Sequence, residues 1–301
     1  MTVWLDGAPL RLGAGGLHRY TLELLAALRR EFPLDHCFAA MPGEGRWWLR
    51  TGIAARYDLF HGTNFEVPPL SPRPSVMTLH DLSPWRGWGG SDRVRRRTKM
   101  LLGLGAATMV ITPSEAIRRE AIEYFRLSPT SVAAIPHAAP NWIRPVEVPP
   151  GPPYFLAVGD DLPRKNLAVV RDAARALGVE LREIRDGVPD RDLPALYSGA
   201  VALVYPSHYE GFGLPVLEAM QCGAMTIVSR DPALVETASD AALTVDTDTG
   251  WLPAMRAALE NPDLRARYRA ASLARARGFS WSATARATHE VYVEAIARHF
   301  A

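Results

Sequence analysis

The sequence predicts an α/β protein of two Rossmann-like domains, each a doubly wound parallel sheet, facing each other across a cleft. Three observations carry this expectation. Short β-rich runs alternate with helical runs along the chain, the mark of strand–helix–strand units and a mostly parallel sheet. The alternation occurs twice. Between the two passes, the stretch 140–153, PNWIRPVEVPPGPP, is too rich in proline for regular structure and reads as a linker.

Taken in order, MTVWLD opens as a strand, followed by a glycine turn and the helix HRYTLELLAALRREF. HCFAAM, YDLFHG and SVMTLHDL read as the next strands. ATMVITPS is a strand ending at Ser114, whose hydroxyl is placed to cap the helix EAIRREAIEYF, and SVAAIPH closes this half. In the second half PYFLAVGD is a strand, NLAVVRDAARAL a helix and VELREI a strand. DLPALYSGA is a short helix, VALVYPS a strand, and PVLEAMQCG a helix stopped by Gly223. MTIVS, PALVETAS and AALTVD follow as strand, helix and strand, and from Trp251 onward the pattern is helical and amphipathic. Domains are expected over 1–145 and 146–280, with binding at the carboxyl ends of the strands.

The bulk numbers agree with this and narrow the function. The 301 residues suit about two domains at roughly 100–200 residues each. A net charge of +2 gives no strong attraction to nucleic acid. Two distant cysteines, Cys37 and Cys222, make neither a disulfide framework nor a metal cluster and suit a reducing, cytoplasmic setting. The N-terminus shows no secretory pattern, and no apolar run approaches the roughly 18–20 residues of a membrane span. Of the 34 basic residues only Lys99 and Lys165 are lysine, so each stands out.

The chemistry concentrates in HYEGFGLPVLEAMQCGA. A strand ends near Ser207, a glycine-containing loop follows, and a helix begins near Leu214–Pro215, where proline is well placed. Gly211 and Gly213 let the backbone approach a ligand, and the helix N-terminus favours an anion. Glu210 on the loop and Glu218 one turn into the helix are acceptors suited to paired hydroxyls, as on a sugar or ribose. The plainer reading is a capped helix carrying two glutamates.

With Glu210 and Glu218 separated by seven residues in the setting EGFGLPVLEA.QCG, the sequence resembles glycosyltransferase family 4, of the GT-B fold, over nearly the whole chain. The resemblance implies that Glu210 contacts the transferred sugar and Glu218 the nucleotide ribose. It implies that the backbone of Phe212, Gly213 and Leu214 holds sugar hydroxyls and phosphate. In VGDDLPRKNL, Arg164 and Lys165 match the family's RKN and would hold the donor diphosphate, whose leaving charge two fixed cations stabilise. In GAGGLHRY, the loop implies Gly15 and Gly16 over the donor phosphate, with Arg19 a weaker candidate. This is not the dinucleotide fingerprint G-x-G-x-x-G, which disfavours a Rossmann oxidoreductase. In TLHDL, the resemblance places His80 against the sugar near the reacting carbon, with Asp81 beside it. His61, Thr63 and Asn64 in FHGTNF are acceptor-side candidates. His137 stands where the family commonly has glycine after IP. The tail 281–301 resembles the family's closing helix, which packs back on the first domain, with Trp281, Tyr292 and Ile296 as packing residues.

Asp246-Thr247-Asp248 and Asp190-Arg191-Asp192 match the acidic triplet of metal-dependent sugar transferases. Such triplets arise by chance among 32 acidic residues, and no metal is expected. The stretch from Leu177 to Leu193 is short for the family, with room for about one strand, and the passage between Phe32 and Asp58 also reads as trimmed. The run SDRVRRRTKMLLGLGAA reads either as a solvated helix face or as a patch, Arg93–Lys99, meeting anionic head groups at the inner membrane face.

The expectation is a retaining, metal-independent hexosyltransferase. The nucleotide-sugar is its substrate: GDP-mannose first, by likeness to the mannosyltransferase branch, then a UDP-sugar. The acceptor is a hydroxyl of a glycan or lipid-linked molecule. The alternative is a non-catalytic nucleotide-sugar-binding or partner subunit with a trimmed fold.

Overall fold

The structure is a computed structural model that describes residues 1–13, 15–40, 57–69, 71–185 and 188–300. The chain divides into two units, Met1–His137 with Trp281–Ala301, and Ala138–Ser280.

The first unit begins with β1 (Thr2–Asp6), α1 (Gly16–Glu31) and β2 (His36–Ala40). It continues through β3 (Leu59–Gly62), β4 (Ser75–Thr78), α2 (Asp92–Gly103), β5 (Met109–Thr112), α3 (Glu115–Phe125) and β6 (Val132–Ala134). Its six strands are parallel in the order β2-β1-β3-β4-β5-β6. β3, β4 and β5 are buried at every residue, as parallel strands covered on both faces are. Ser114 caps α3 by accepting from the Ile117 amide at 3.2 Å. The passage read as trimmed falls largely on 41–56, outside the described residues.

The second unit holds β7 (Tyr154–Val158), α4 (Leu167–Leu177), β8 (Glu180–Ile184), α5 (Leu193–Gly199), β9 (Leu203–Tyr205) and α6 (Leu214–Gln221). β10 (Thr226–Ser229), α7 (Pro232–Ala238), β11 (Leu243–Val245), α8 (Trp251–Glu260) and α9 (Pro262–Ala276) complete it. Its five strands are parallel in the order β11-β10-β9-β7-β8. The two-residue period of a strand builds both cores. Leu156, Leu203, Tyr205 and Val228 pack with α5, α6 and α7 on one face. Phe155, Val204 and Ile227 pack with α4 and α8 on the other. Gly223, with φ 69°, ends α6: its amide donates to Met220 O, and that of Ala224 to Ala219 O, both at 2.9 Å.

The last helix, α10 (Trp281–Phe300), belongs to the first unit, where it packs on α1, β4 and β5.

The division between the units lies between His137 and Ala138, not after residue 145. The reason is packing. The proline-rich stretch begins inside the second unit, where Ile143 is fully buried in the core. Gln221 Nε2 donates to Pro140 O at 2.8 Å and Ile143 O at 2.5 Å. Between β8 and α5 the described residues hold only a 3₁₀ turn at Asp190–Asp192, leaving β8 as the edge strand.

Candidate active site

In the second unit β7 pairs with β8 on one side and with β9 on the other, so the strand order reverses between β7 and β9. Open parallel sheets bind ligands outside the carboxyl ends of strands at such a reversal. The loop after β7 carries Arg164 and Lys165 in a 3₁₀ turn, and the loop after β9 carries Glu210. The His208 amide donates to Arg164 O at 2.8 Å and ties the two loops together.

Three charges meet there. Lys165 Nζ donates to Glu210 Oε1 at 2.6 Å and to Tyr205 Oη at 2.7 Å. Arg164 Nη1 donates to Glu210 Oε1 at 3.1 Å and to Tyr209 O at 3.2 Å. Burial alone would push the Glu210 carboxyl up, but the facing Lys165 and Arg164 hold it below its ordinary value. Burial alone would likewise lower Lys165, and Tyr205 and Glu210 reverse this and hold the ammonium above its ordinary value. Burial, with Glu210 nearby, lifts the Tyr205 phenol to about 12. Glu210 and Lys165 both stay charged near neutral pH. The cluster thus holds two cations and one carboxylate, a net positive charge, at the strand reversal.

Neighbours that the sequence did not single out set this geometry. Gly159, at φ 138°, lies under the lysine stem; a Cβ there would sit 3.2 Å from Lys165 Cδ. Asp231 caps α7, accepting the Ala233 and Leu234 amides at 3.0 Å through Oδ1, and its Oδ2 accepts the Glu210 amide at 3.3 Å. The Asp-Pro pair at 231–232 signals a helix start, but its hold on Glu210 is tertiary and leaves no local mark.

Past Glu210 the chain turns into α6 through Gly213, whose φ of 89° suits glycine and whose Cβ would lie 2.4 Å from Leu234 Cδ2. Phe212 is buried edge-on against Phe279, and its carbonyl accepts Thr237 Oγ1 at 2.6 Å. Leu214 is half-buried against the core. Glu218 is buried, and Tyr197 Oη donates to its Oε2 at 2.9 Å. Asp246 pairs with Arg230, and Asp248 accepts Asn166 Nδ2 at 3.0 Å. Among the described residues no group of three or more His, Cys, Asp or Glu is placed to hold a metal ion.

In the first unit Gly15, at φ 91°, precedes α1 and Gly16 begins it. His80 follows β4. Its Nε2 donates to Thr63 O at 2.7 Å, which leaves Nδ1 as an acceptor for His137 Nε2 at 3.4 Å. Burial keeps His80 below its ordinary value and His137 well below, so both rings stay neutral near pH 7. Tyr20 of α1 stands edge-on to His80 at 4.8 Å and so ties the helix that Gly15 and Gly16 open to this ring. His61 and Thr63 are fully buried and spend their polar atoms internally. His61 bonds Tyr292 Oη at 2.7 Å and Thr78 Oγ1 at 2.8 Å, and Thr63 donates to Asp6 O at 2.8 Å. That removes both as acceptor-side groups.

Comparison with known proteins identifies the family. A family profile described as Glycosyltransferase Family 4 matches residues 32–140, and one described as Glycosyl transferases group 1 matches 182–275. The O-antigen chain mannosyltransferase B of Escherichia coli is 32% identical over 309 residues, covering 86% of this chain and 80% of that protein. The chain belongs to glycosyltransferase family 4. A second relative of this glycosyltransferase, the O-antigen chain mannosyltransferase RfbU of Salmonella typhimurium, is 27% identical over 74% of this chain and 71% of its own. The fold recurs in a sucrose-phosphate synthase from Thermosynechococcus elongatus, with a TM-score of 0.78 at 18% identity, covering 99% of this chain and 100% of that one. It recurs also in Anabaena HepE, solved in complex with UDP-glucose, with a TM-score of 0.75 at 15% identity, covering 97% of this chain and 99% of that one. The two parallel sheets are thus the GT-B architecture.

Proposed function

We propose that this glycosyltransferase moves mannose from GDP-mannose to a hydroxyl of a glycan or lipid-linked acceptor, with retention and without a metal. The observation that carries this is the Arg164–Glu210–Lys165 cluster at the strand reversal of the second sheet. In this reading Arg164 and Lys165 hold the donor diphosphate and stabilise its leaving charge, the work a metal does elsewhere. Glu210 then accepts hydroxyls of the transferred sugar, the Phe212–Leu214 backbone holds sugar and phosphate, and Glu218, steadied by Tyr197, accepts the ribose. The bond from the anomeric carbon to the phosphate oxygen breaks as the acceptor oxygen bonds on the same face. The acceptor proton passes to the leaving phosphate. Positioning and charge carry the rate.

Gly15, Gly16 and His80 are proposed as donor contacts of the first unit. Because its ring nitrogens are both engaged, His80 acts as a neutral surface and not as a proton relay. The choice of mannose rests on the two mannosyltransferase relatives. Peripheral membrane contact is proposed through α2, where Arg93, Arg96 and Lys99 are exposed without an ion pair among the described residues, beside exposed Met100 and Leu104. No described helix is long and apolar enough to cross a membrane.

The test is a panel of nucleotide-sugars scored for thermal stabilisation and slow donor hydrolysis, with the anomer of the released sugar read by NMR. GDP-mannose should give the largest stabilisation, Lys165→Ala and Glu218→Ala should each diminish it, and the anomeric configuration should be kept. Stabilisation by a UDP-sugar alone would move the donor. Binding without turnover under any acceptor would favour the non-catalytic subunit.

A further inference from the structure

The second unit has another positive feature, on the amino-terminal side of β7, at the opposite end of the sheet from Glu210. A cavity of about 490 Å³ opens there between the stretch Val148–Pro153, Tyr154, Arg182, Gly199 and Arg269. We propose that it is a second anion site, one that takes the phosphate of a small phosphorylated organic molecule.

Arg269 is the first reason. Its Nε donates to Gly223 O at 3.0 Å and its Nη2 to Ser198 O at 2.6 Å, which locks the guanidinium plane. Its Nη1 donates to no group among the described residues, and no carboxylate there pairs with it. Burial and the neighbouring Arg265 both disfavour its charge. A fixed, half-buried guanidinium with a spare fork is preorganised for a phosphate or carboxylate. The two carbonyl bonds fix the side chain, and Nη1 stays open to solvent or a ligand.

Arg182 is the second reason. Its guanidinium lies 3.7 Å from the centre of the Tyr154 ring and pairs with Glu180 at 2.9 Å, so it too is ordered at the cavity wall. Tyr154 feels both arginines. The cavity lining carries two guanidinium groups, Arg182 and Arg269, and no carboxylate, with Glu180 pairing Arg182 from beside it. Third, the wall is shaped by an absent side chain. A Cβ on Gly199 would lie 2.7 Å from Tyr154 Oη and 3.1 Å from Val148 Cγ1. The cavity exceeds what a bare phosphate fills, and its proline wall suits an organic body.

Isothermal titration of the full chain at constant ionic strength tests this with inorganic phosphate and with glycerol 3-phosphate. Both should bind, glycerol 3-phosphate the tighter. Arg182→Gln and Arg269→Gln should each weaken binding at least tenfold, while Lys165→Ala leaves it unchanged. Loss of binding in Lys165→Ala, or its retention in Arg182→Gln, would place the phosphate in the cluster around Glu210 and overturn the proposal. Equal affinities would overturn the organic body. Should Arg269→Gln not fold, Arg182→Gln decides alone, since that side chain is 38% exposed and its loss leaves the core intact.

Discussion

Replacing Glu210 by Gln keeps the side-chain shape and one acceptor oxygen but removes the charge that two cations share. That charge lies 2.6 Å from Lys165 Nζ and 3.1 Å from Arg164 Nη1. With an effective dielectric of about 20, the gross attractions are about 6 and about 5 kcal/mol. Most of this is offset by the cost of taking three charges out of water and by repulsion between the two cations. Removing one partner of a buried pair costs about 3–5 kcal/mol, because the other charge is stranded. Here two are stranded, so Glu210→Gln should lie toward the upper end. Urea unfolding with an unchanged m-value measures it. Adding Lys165→Met removes one stranded cation, so the double variant should be more stable than the sum of the two single losses. The sign with pH follows from the lowered carboxyl. Its contribution is complete above the ordinary value of 4.5 and is lost as pH falls through the folded value, so the deficit should be flat from pH 6 to 8. A deficit under about 1 kcal/mol, or strict additivity in the double variant, would refute the reasoning.

Tyr197→Phe removes the donor to buried Glu218 and should cost about 1–3 kcal/mol in urea unfolding. If Glu218 serves the donor, nucleotide-sugar stabilisation should fall in the same variant. Gly159→Ala forces a side chain onto a backbone at φ 138° and against the Lys165 stem, so donor affinity should drop further than in Tyr197→Phe. Titration calorimetry against the best donor compares the two. His61 is held down to about 3, first by burial and then by His80. Its contribution is present above its ordinary value of 6.5 and is lost as pH falls, by up to about 1.4 kcal/mol per pH unit. His61→Gln should therefore show a shallower acid dependence by that slope between pH 6 and 4, and equal slopes would count against a neutral buried ring.

The alternation of elements was legible because fully covered parallel strands read as short apolar runs and their helices as amphipathic ones. Ser114 and Gly223 were legible because caps are local chemistry. The first domain boundary was misplaced because prolines report the lack of regular structure, not which core a segment joins, and Ile143 joins the second. Arg164, Lys165 and Glu210 stood out by type and setting, yet their convergence on one oxygen is set by strand order. Of the supports of the site, Tyr197 and Asp231 come from elements well separated in sequence from the glutamates they hold, while Gly159 and Tyr205 lie close by but show their role only in the fold. His61 and Thr63 look the same in sequence whether they face a ligand or other buried groups of the fold, and only the fold shows that they are consumed.

The position of α10 has a consequence for how the chain is made. The first sheet is synthesised first, but a helix that covers it is encoded after the whole second unit, whose residues Ala138–Ser280 are contiguous. Until Trp281–Phe300 emerges, β4 and β5 lack that cover and His61 lacks the Tyr292 hydroxyl. The second unit is therefore able to finish before the first. The early-made half waits as an exposed nascent intermediate, the species that holding chaperones protect. A lesion in α10 would strike the half made first and spare the half made second.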